Sequence, residues 1–158
     1  MNTIDYILGE MCKVIFPIPE ETFYGNKNSS IAICTLSSID LLKEISNSKL
    51  LDKIAIAGRL LSENKGIDSL ISYVNSNKNI KTIILCGKEV WGHKAGNSLL
   101  KLYEYGIDSN SRIINSSSPD PILEVSQAQV NDFQNQVRLI DKIGETRFSE
   151  INKLIDTV

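Results

Sequence analysis

Short apolar runs rich in β-branched residues alternate along the chain with stretches whose apolar positions recur at helical spacing. The runs are 30–36 (SIAICTL), 53–57 (KIAIA), 81–86 (KTIILC) and 112–114 (RII). The first three are continuously apolar and end near Gly or Ser, the pattern of strands buried on both faces. Between them, Ile39, Leu42 and Ile45 share one helical face, and Ile67, Leu70, Ile71 and Val74 follow the i, i+3, i+4, i+7 rule. Ala95, Leu99, Leu102 and Tyr103 repeat that spacing, and Gly106 sits where a C-terminal glycine belongs. Ser126 and Gln129 have the spacing of a capping box. They predict an amphipathic helix through Val130, Phe133, Val137 and Ile140, ended by Gly144, with a short final helix from near Ser149. Ahead of the first run the pattern is weak: Pro17 and Pro19 fix extended backbone, and Gly25-Asn26-Lys27-Asn28 reads as a turn.

Strand and helix in alternation predict βαβ units, hence a mainly parallel sheet. The fold class expected is α/β, a Rossmann-like three-layer sandwich with C-terminal helices. The 158 residues suit one domain, 1–158, with no repeat or linker dividing it. An apolar fraction of 42% is enough to offset the entropy of folding, so the chain is not a disordered one.

Seventeen basic residues against nineteen acidic ones give a formal charge of −2, which provides no electrostatic footprint for nucleic acid and no polybasic patch for a membrane surface. No apolar run approaches the roughly 20 residues of a membrane span, and the N-terminal residues lack the charge and apolar pattern of a leader. The expected location is the cytoplasm. The three cysteines, Cys12, Cys34 and Cys86, are too few and too widely spaced for a disulfide framework or a zinc site. A phosphate loop, a Gly-x-Gly-x-x-Gly turn and a Gly-x-Ser-x-Gly elbow are all missing, which places a nucleotide-binding domain third among the readings and argues against a hydrolase.

Open parallel sheets bind ligands at the carboxyl ends of their strands. Those ends hold Thr35 and Ser37, then Gly58, Glu63 and Asn64, then Gly87, Glu89, Gly92, His93 and Gly96, and these are the candidate ligand-binding residues. His93 is the only histidine in the chain. It stands near the start of a helix, whose positive end disfavours imidazolium and so favours the neutral ring a metal needs. A lone loop histidine is more commonly a hydrogen-bonded polar residue. One imidazole can still supply an axial ligand to a metal already held by a macrocycle, a haem or a corrinoid. Glu63 and Glu89 are both placed to orient the ring. Trp91 could pad a flat ligand, and Arg59 could meet an anionic substituent.

Residues 57–100, AGRLLSENKGIDSLISYVNSNKNIKTIILCGKEVWGHKAGNSLL, resemble the A subunit of tetrahydromethanopterin S-methyltransferase, which is the corrinoid-carrying component of a methanogen membrane complex. The matching elements are Ala57-Gly58, Glu63-Asn64-Lys65-Gly66-Ile67, Asn79-Ile80, the strand ending at Gly87, Glu89-Val90, Gly92-His93 and Gly96. Tyr105-Gly106-Ile107-Asp108 and Arg112-Ile113-Ile114 continue the likeness.

The resemblance implies a cobamide (cobalamin) cofactor, with His93 as the lower axial cobalt ligand and the residue through which catalysis runs. It implies a methyl carrier whose cobalt cycles between Co(I) and methyl-Co(III), moving a methyl group from a methyl-tetrahydropterin to a thiol with partner methyltransferase subunits. His93-x-x-Gly96 also matches part of the wider Asp-x-His-x-x-Gly cobalamin signature, with Trp91 in place of Asp. Two further departures are Leu60-Leu61, where Cys and Thr-type residues are expected, and Ser116 to Pro121, which replaces a Gly-rich loop. The chain is also expected to be a soluble form without the family's C-terminal membrane anchor. The alternative is a non-catalytic corrinoid-binding or scaffold module of the same fold.

Overall fold

The computed structural model describes residue 3 and residues 21–158. Cys12, Pro17 and Pro19 lie outside the described residues. Among the described residues, five strands form one sheet: β1 (Thr22–Tyr24), β2 (Ile31–Cys34), β3 (Ile56–Gly58), β4 (Thr82–Gly87) and β5 (Arg138–Ile143), in the spatial order β1-β3-β2-β4-β5. β3, β2, β4 and β5 are parallel, and β1 closes one edge antiparallel to β3. Every residue of β2 and β4 is buried, as their unbroken apolar runs require.

Among the described residues, five α-helices cover the sheet: α1 (Ile39–Ser46), α2 (Lys65–Ser76), α3 (Ala95–Tyr105), α4 (Gln127–Gln136) and α5 (Phe148–Ile155). Strand alternation divides the core in two. Ala32, Cys34, Ile83 and Leu85 face Ile67, Ile71, Leu99, Leu102, Val130 and Phe133 of α2, α3 and α4. Ile31, Ile33, Ile84 and Cys86 face Leu41, Leu42 and Ile45 of α1 and Ile151 and Ile155 of α5. This is the three-layer Rossmann-like sandwich that the alternating pattern predicts. Among the described residues, no helix is long and apolar enough to cross a membrane.

Three expectations are corrected. The strand expected at 53–57 begins only at Ile56, as β3, and Lys53 ends a 3-10 helix, Lys49–Lys53. Residues 112–114 are not a strand: they make only isolated bridges, Ile107 to Ile113 and Arg112 to Ile122, within the segment after α3. The fourth parallel strand is β5, where the sequence predicts a continuing helix. α4 stops at Gln136, Val137 is extended (φ −116°, ψ 152°), and Leu139 and Ile140 pair with Ile83 and Ile84 of β4. Gly144 (φ +94°) therefore ends a strand rather than a helix. The Ser126–Gln129 capping box forms with both reciprocal hydrogen bonds, and Gly106 ends α3 with φ +74°.

The chain passes from β2 to β3 on one side and then returns to β4 on the other. The carboxyl ends of β2 and β4 thus bracket the point where strand order reverses, the place where open α/β sheets hold ligands. His93 stands in the loop leaving β4.

Candidate functional site

The β4–α3 loop has a conformation that glycine makes possible. Gly87 has φ +82°, and a Cβ there would lie 2.1 Å from the Thr35 carbonyl oxygen, so β4 can leave the sheet beside β2 only without a side chain at this position. Gly92 (φ +79°) turns the chain again just before His93, and Lys94 is left-handed (φ +50°) as α3 begins.

Glu89 folds back over the start of α3. Its Oε1 accepts from the amides of Val90 (2.7 Å) and Gly96 (2.9 Å), and its Oε2 accepts from Asn97 (2.8 Å). A Cβ at Gly96 would meet Glu89 Oε2 at 2.8 Å, so the glycine admits the carboxylate. Glu89 is therefore the anionic cap of α3 rather than the residue that orients His93. Its carboxylate also takes the amides that a nucleotide phosphate would use there, which weighs against the nucleotide reading.

His93 is oriented by Glu63. Nδ1 of His93 lies 2.7 Å from Glu63 Oε2, with the two side chains 10% and 2% exposed. The other carboxylate oxygen, Oε1, accepts from the amide of Asp120 at 3.1 Å. Burial pushes the Glu63 carboxyl upward, but hydrogen bonds from His93, its own backbone and Asp120, with the charge of His93, hold it below the ordinary value. An ionised Glu63 accepts only, so this geometry assigns the Nδ1 proton to His93 and, in the neutral ring, leaves the lone pair at Nε2. That is the tautomer of a carboxylate-oriented metal ligand.

Asn64, next to Glu63, caps α2 by accepting from Lys65 N (2.7 Å) and donates to the Asp120 carbonyl (3.2 Å) and carboxylate (3.3 Å). Asp120 thus belongs to the site although sequence reasoning missed it; its flanking Pro119 and Pro121 were the available signal of a rigid turn. Ser37 and its neighbour Ser38 latch the β2 end to the β4 end: Ser37 Oγ donates to the Lys88 carbonyl (2.8 Å), and Ser38 Oγ accepts from Lys88 N (2.9 Å). Thr35 is fully buried and its amide donates to the Gly58 carbonyl (2.9 Å); its hydroxyl has no partner among the described residues. Gly58 lies against β1, where a Cβ would come 3.2 Å from Thr22 Oγ1. The structure therefore brings His93, Glu63, Asn64 and Gly92 together. It gives Thr35, Ser37 and Gly87 to the seam between β2 and β4, and Gly58 to the β3 edge. Leu60 is buried in the core under α2 rather than lining the site. Trp91 is 66% exposed beside His93.

The family model for the A subunit of tetrahydromethanopterin S-methyltransferase matches residues 15–158. The chain belongs to this family. It is 41% identical over 132 residues to the A subunit of the "Putative methyltransferase Mtx" of Methanosarcina barkeri, covering 83% of this chain and 63% of that one. It is 35% identical over 134 residues to the A subunit of the tetrahydromethanopterin S-methyltransferase of Methanosphaera stadtmanae, covering 84% and 52%. The chain thus spans between half and two thirds of the length of these two relatives.

The family resemblance implies a corrinoid, whose metal would take an axial donor from the protein. Among the described residues, no group of three or more His, Cys, Asp and Glu is placed to hold a metal ion. One buried imidazole with a carboxylate behind it is the donor that a metal carrying its own equatorial ring would use. His93, supported by Glu63, is the residue that would hold such a group.

Proposed function

We propose that this chain binds a cobamide through Nε2 of His93 and serves as the methyl-carrying component of a methyltransferase, acting with partner subunits. The observation that carries the reading is the 2.7 Å contact between His93 Nδ1 and Glu63, at the strand-order reversal of a chain in this family. When bound, the cobamide supplies a cobalt that can take a methyl group from a methyl-tetrahydropterin and give it to a thiol. The protein's own part is to hold and orient. Glu63 keeps the Nδ1 proton on His93 and makes Nε2 more basic; the Asp120 amide keeps Glu63 in place; burial excludes water from the pair. Gly92 and Gly87 supply the turns that bring the imidazole to the sheet's carboxyl edge.

The test is titration of the purified protein with hydroxocobalamin, followed by absorption spectroscopy. Histidine ligation is expected to shift the spectrum from that of the free cofactor, and His93→Ala is expected to abolish the shift. Trp91, the chain's only tryptophan, gives a second readout because a corrin ring beside it quenches its emission. An unchanged spectrum with unchanged Trp91 emission would overturn the reading. Methyl transfer from a methyl-tetrahydropterin to a thiol, assayed with partner subunits, then separates a carrier from a binding module without turnover.

A further inference from the structure

Ser98 lies in the first turn of α3, fully buried, where helix propensity gives no reason for a serine. Its hydroxyl is 2.7 Å from Ser116 Oγ and 2.6 Å from Ser118 Oγ. Ser118 Oγ donates to the Lys94 carbonyl at 3.1 Å, and Ser118 N donates to Ser116 Oγ at 3.1 Å. Each hydroxyl has one proton, so these contacts fix a single order. Ser118 gives its proton to Lys94, Ser98 to Ser118, and Ser116 to Ser98. All three hydroxyls are then satisfied, those of Ser98 and Ser118 in the interior and that of Ser116 at its margin, with Ser98 as the central link. Two residues beyond Ser118, the Asp120 amide holds Glu63, and Glu63 holds His93, the residue before Lys94. The contacts close a ring: His93, Glu63, Asp120, Ser118, Lys94 and back to His93.

We propose that Ser98 is a positioning residue for His93. Its buried hydroxyl pins the segment 116–120 to the start of α3, and so sets where the Asp120 amide presents itself to Glu63 and which ring nitrogen of His93 carries the proton. The proposal gives a role to the Ser-Ser-Ser-Pro stretch at 116–119. Its consequence for a cofactor rests on His93 being the ligand, but the arrangement itself is a property of the apo protein.

The test uses apo protein labelled with ¹⁵N, in which the single histidine gives one imidazole spin system. The wild type is expected to show His93 protonated at Nδ1. Ser98→Ala is expected to keep its fold by circular dichroism yet lose that pattern to a mixture of tautomers, and Ser98→Cys, which retains a donor of similar size, is expected to restore part of it. Hydroxocobalamin affinity of Ser98→Ala is expected to fall about 10- to 100-fold, the usual effect of removing support behind a metal ligand. Should Ser98→Ala not fold, Ser116→Ala, at a partly exposed position, removes one contact of the same cluster and carries the test. An unchanged His93 tautomer in a folded Ser98→Ala or Ser116→Ala protein overturns the proposal, whether or not the wild type binds cobalamin. Failure of wild-type cobalamin binding with the tautomer shift intact overturns the cofactor reading alone.

Discussion

At the scale of single residues, the site depends on one carboxylate that is buried and satisfied. Glu63 accepts from His93 through one oxygen and from Asp120 through the other. Glu63→Gln keeps the shape but replaces the charged acceptor with an amide, so a loss of about 1–3 kcal/mol in urea unfolding at neutral pH is expected. The pH dependence has a definite sign. The folded carboxyl is held below its ordinary value, so its contribution is fully present above the ordinary carboxylate range and is lost as pH falls through the folded value. The stability gap between wild type and Glu63→Gln should therefore narrow on acidification below that range; a gap that widens there would contradict the assignment. His93 and Glu63 were both legible in the sequence, as a lone histidine among glycines and a carboxylate at a neighbouring strand end. Their pairing was not, because Glu89, only four residues from His93, was an equal candidate until the structure showed it capping α3.

At the scale of elements, the readable ones have a single strong signal. β2 and β4 are buried on both faces, and α2 buries Ile67, Ile71 and Val74 at helical spacing. β5 has no such signal. It is an edge strand with half-exposed residues, and Val130, Phe133, Val137 and Ile140 carry the helical period across its start. The open edge of β4 decides its state through backbone hydrogen bonds, a non-local term that no window of sequence contains. Gln136 marks the junction. Its Nε2 donates to the carbonyls of Val74 (2.8 Å), Asn77 (3.0 Å) and Ile80 (3.1 Å), joining the end of α4 to the end of α2 and the approach to β4. Gln136→Ala should cost about 1–3 kcal/mol by chemical denaturation, since it strips a donor from carbonyls at a packed helix end. Gln136→Glu should cost at least as much, because a carboxylate cannot donate to them. Equal stability of wild type and both variants would show that the junction is held some other way.

At the scale of the whole molecule, the two cores are separated by the sheet, and each holds a free thiol near the strand ends. Burial pushes Cys34 up to about 12, and burial with the nearby Cys34 and Glu145 charges pushes Cys86 up to about 12. A thiol needs both thiolate and access to react, so neither should react without opening of the fold. In a Cys12→Ser background, labelling with an aromatic disulfide reagent should be slow at pH 8. Its urea dependence should match that of global unfolding. Rapid labelling of the folded protein would mean that one core opens locally.

The sequence by itself determined the features that local pattern sets: the buried parallel strands, the helical faces that cover them, the caps at Ser126 and Gly106, and the one imidazole available for chemistry. These depend on residues within a turn or a strand length of one another, and periodicity records them directly. The tertiary structure alone decided which carboxylate meets that imidazole, that Asp120 and the serines of 116–118 stand behind the pair, and that Arg138–Ile143 is a strand. Glu63 and His93 are 30 residues apart, and Glu63 and Asp120 are 57 apart. Contacts of that separation exist only once strand order sets three loops at one end of the sheet.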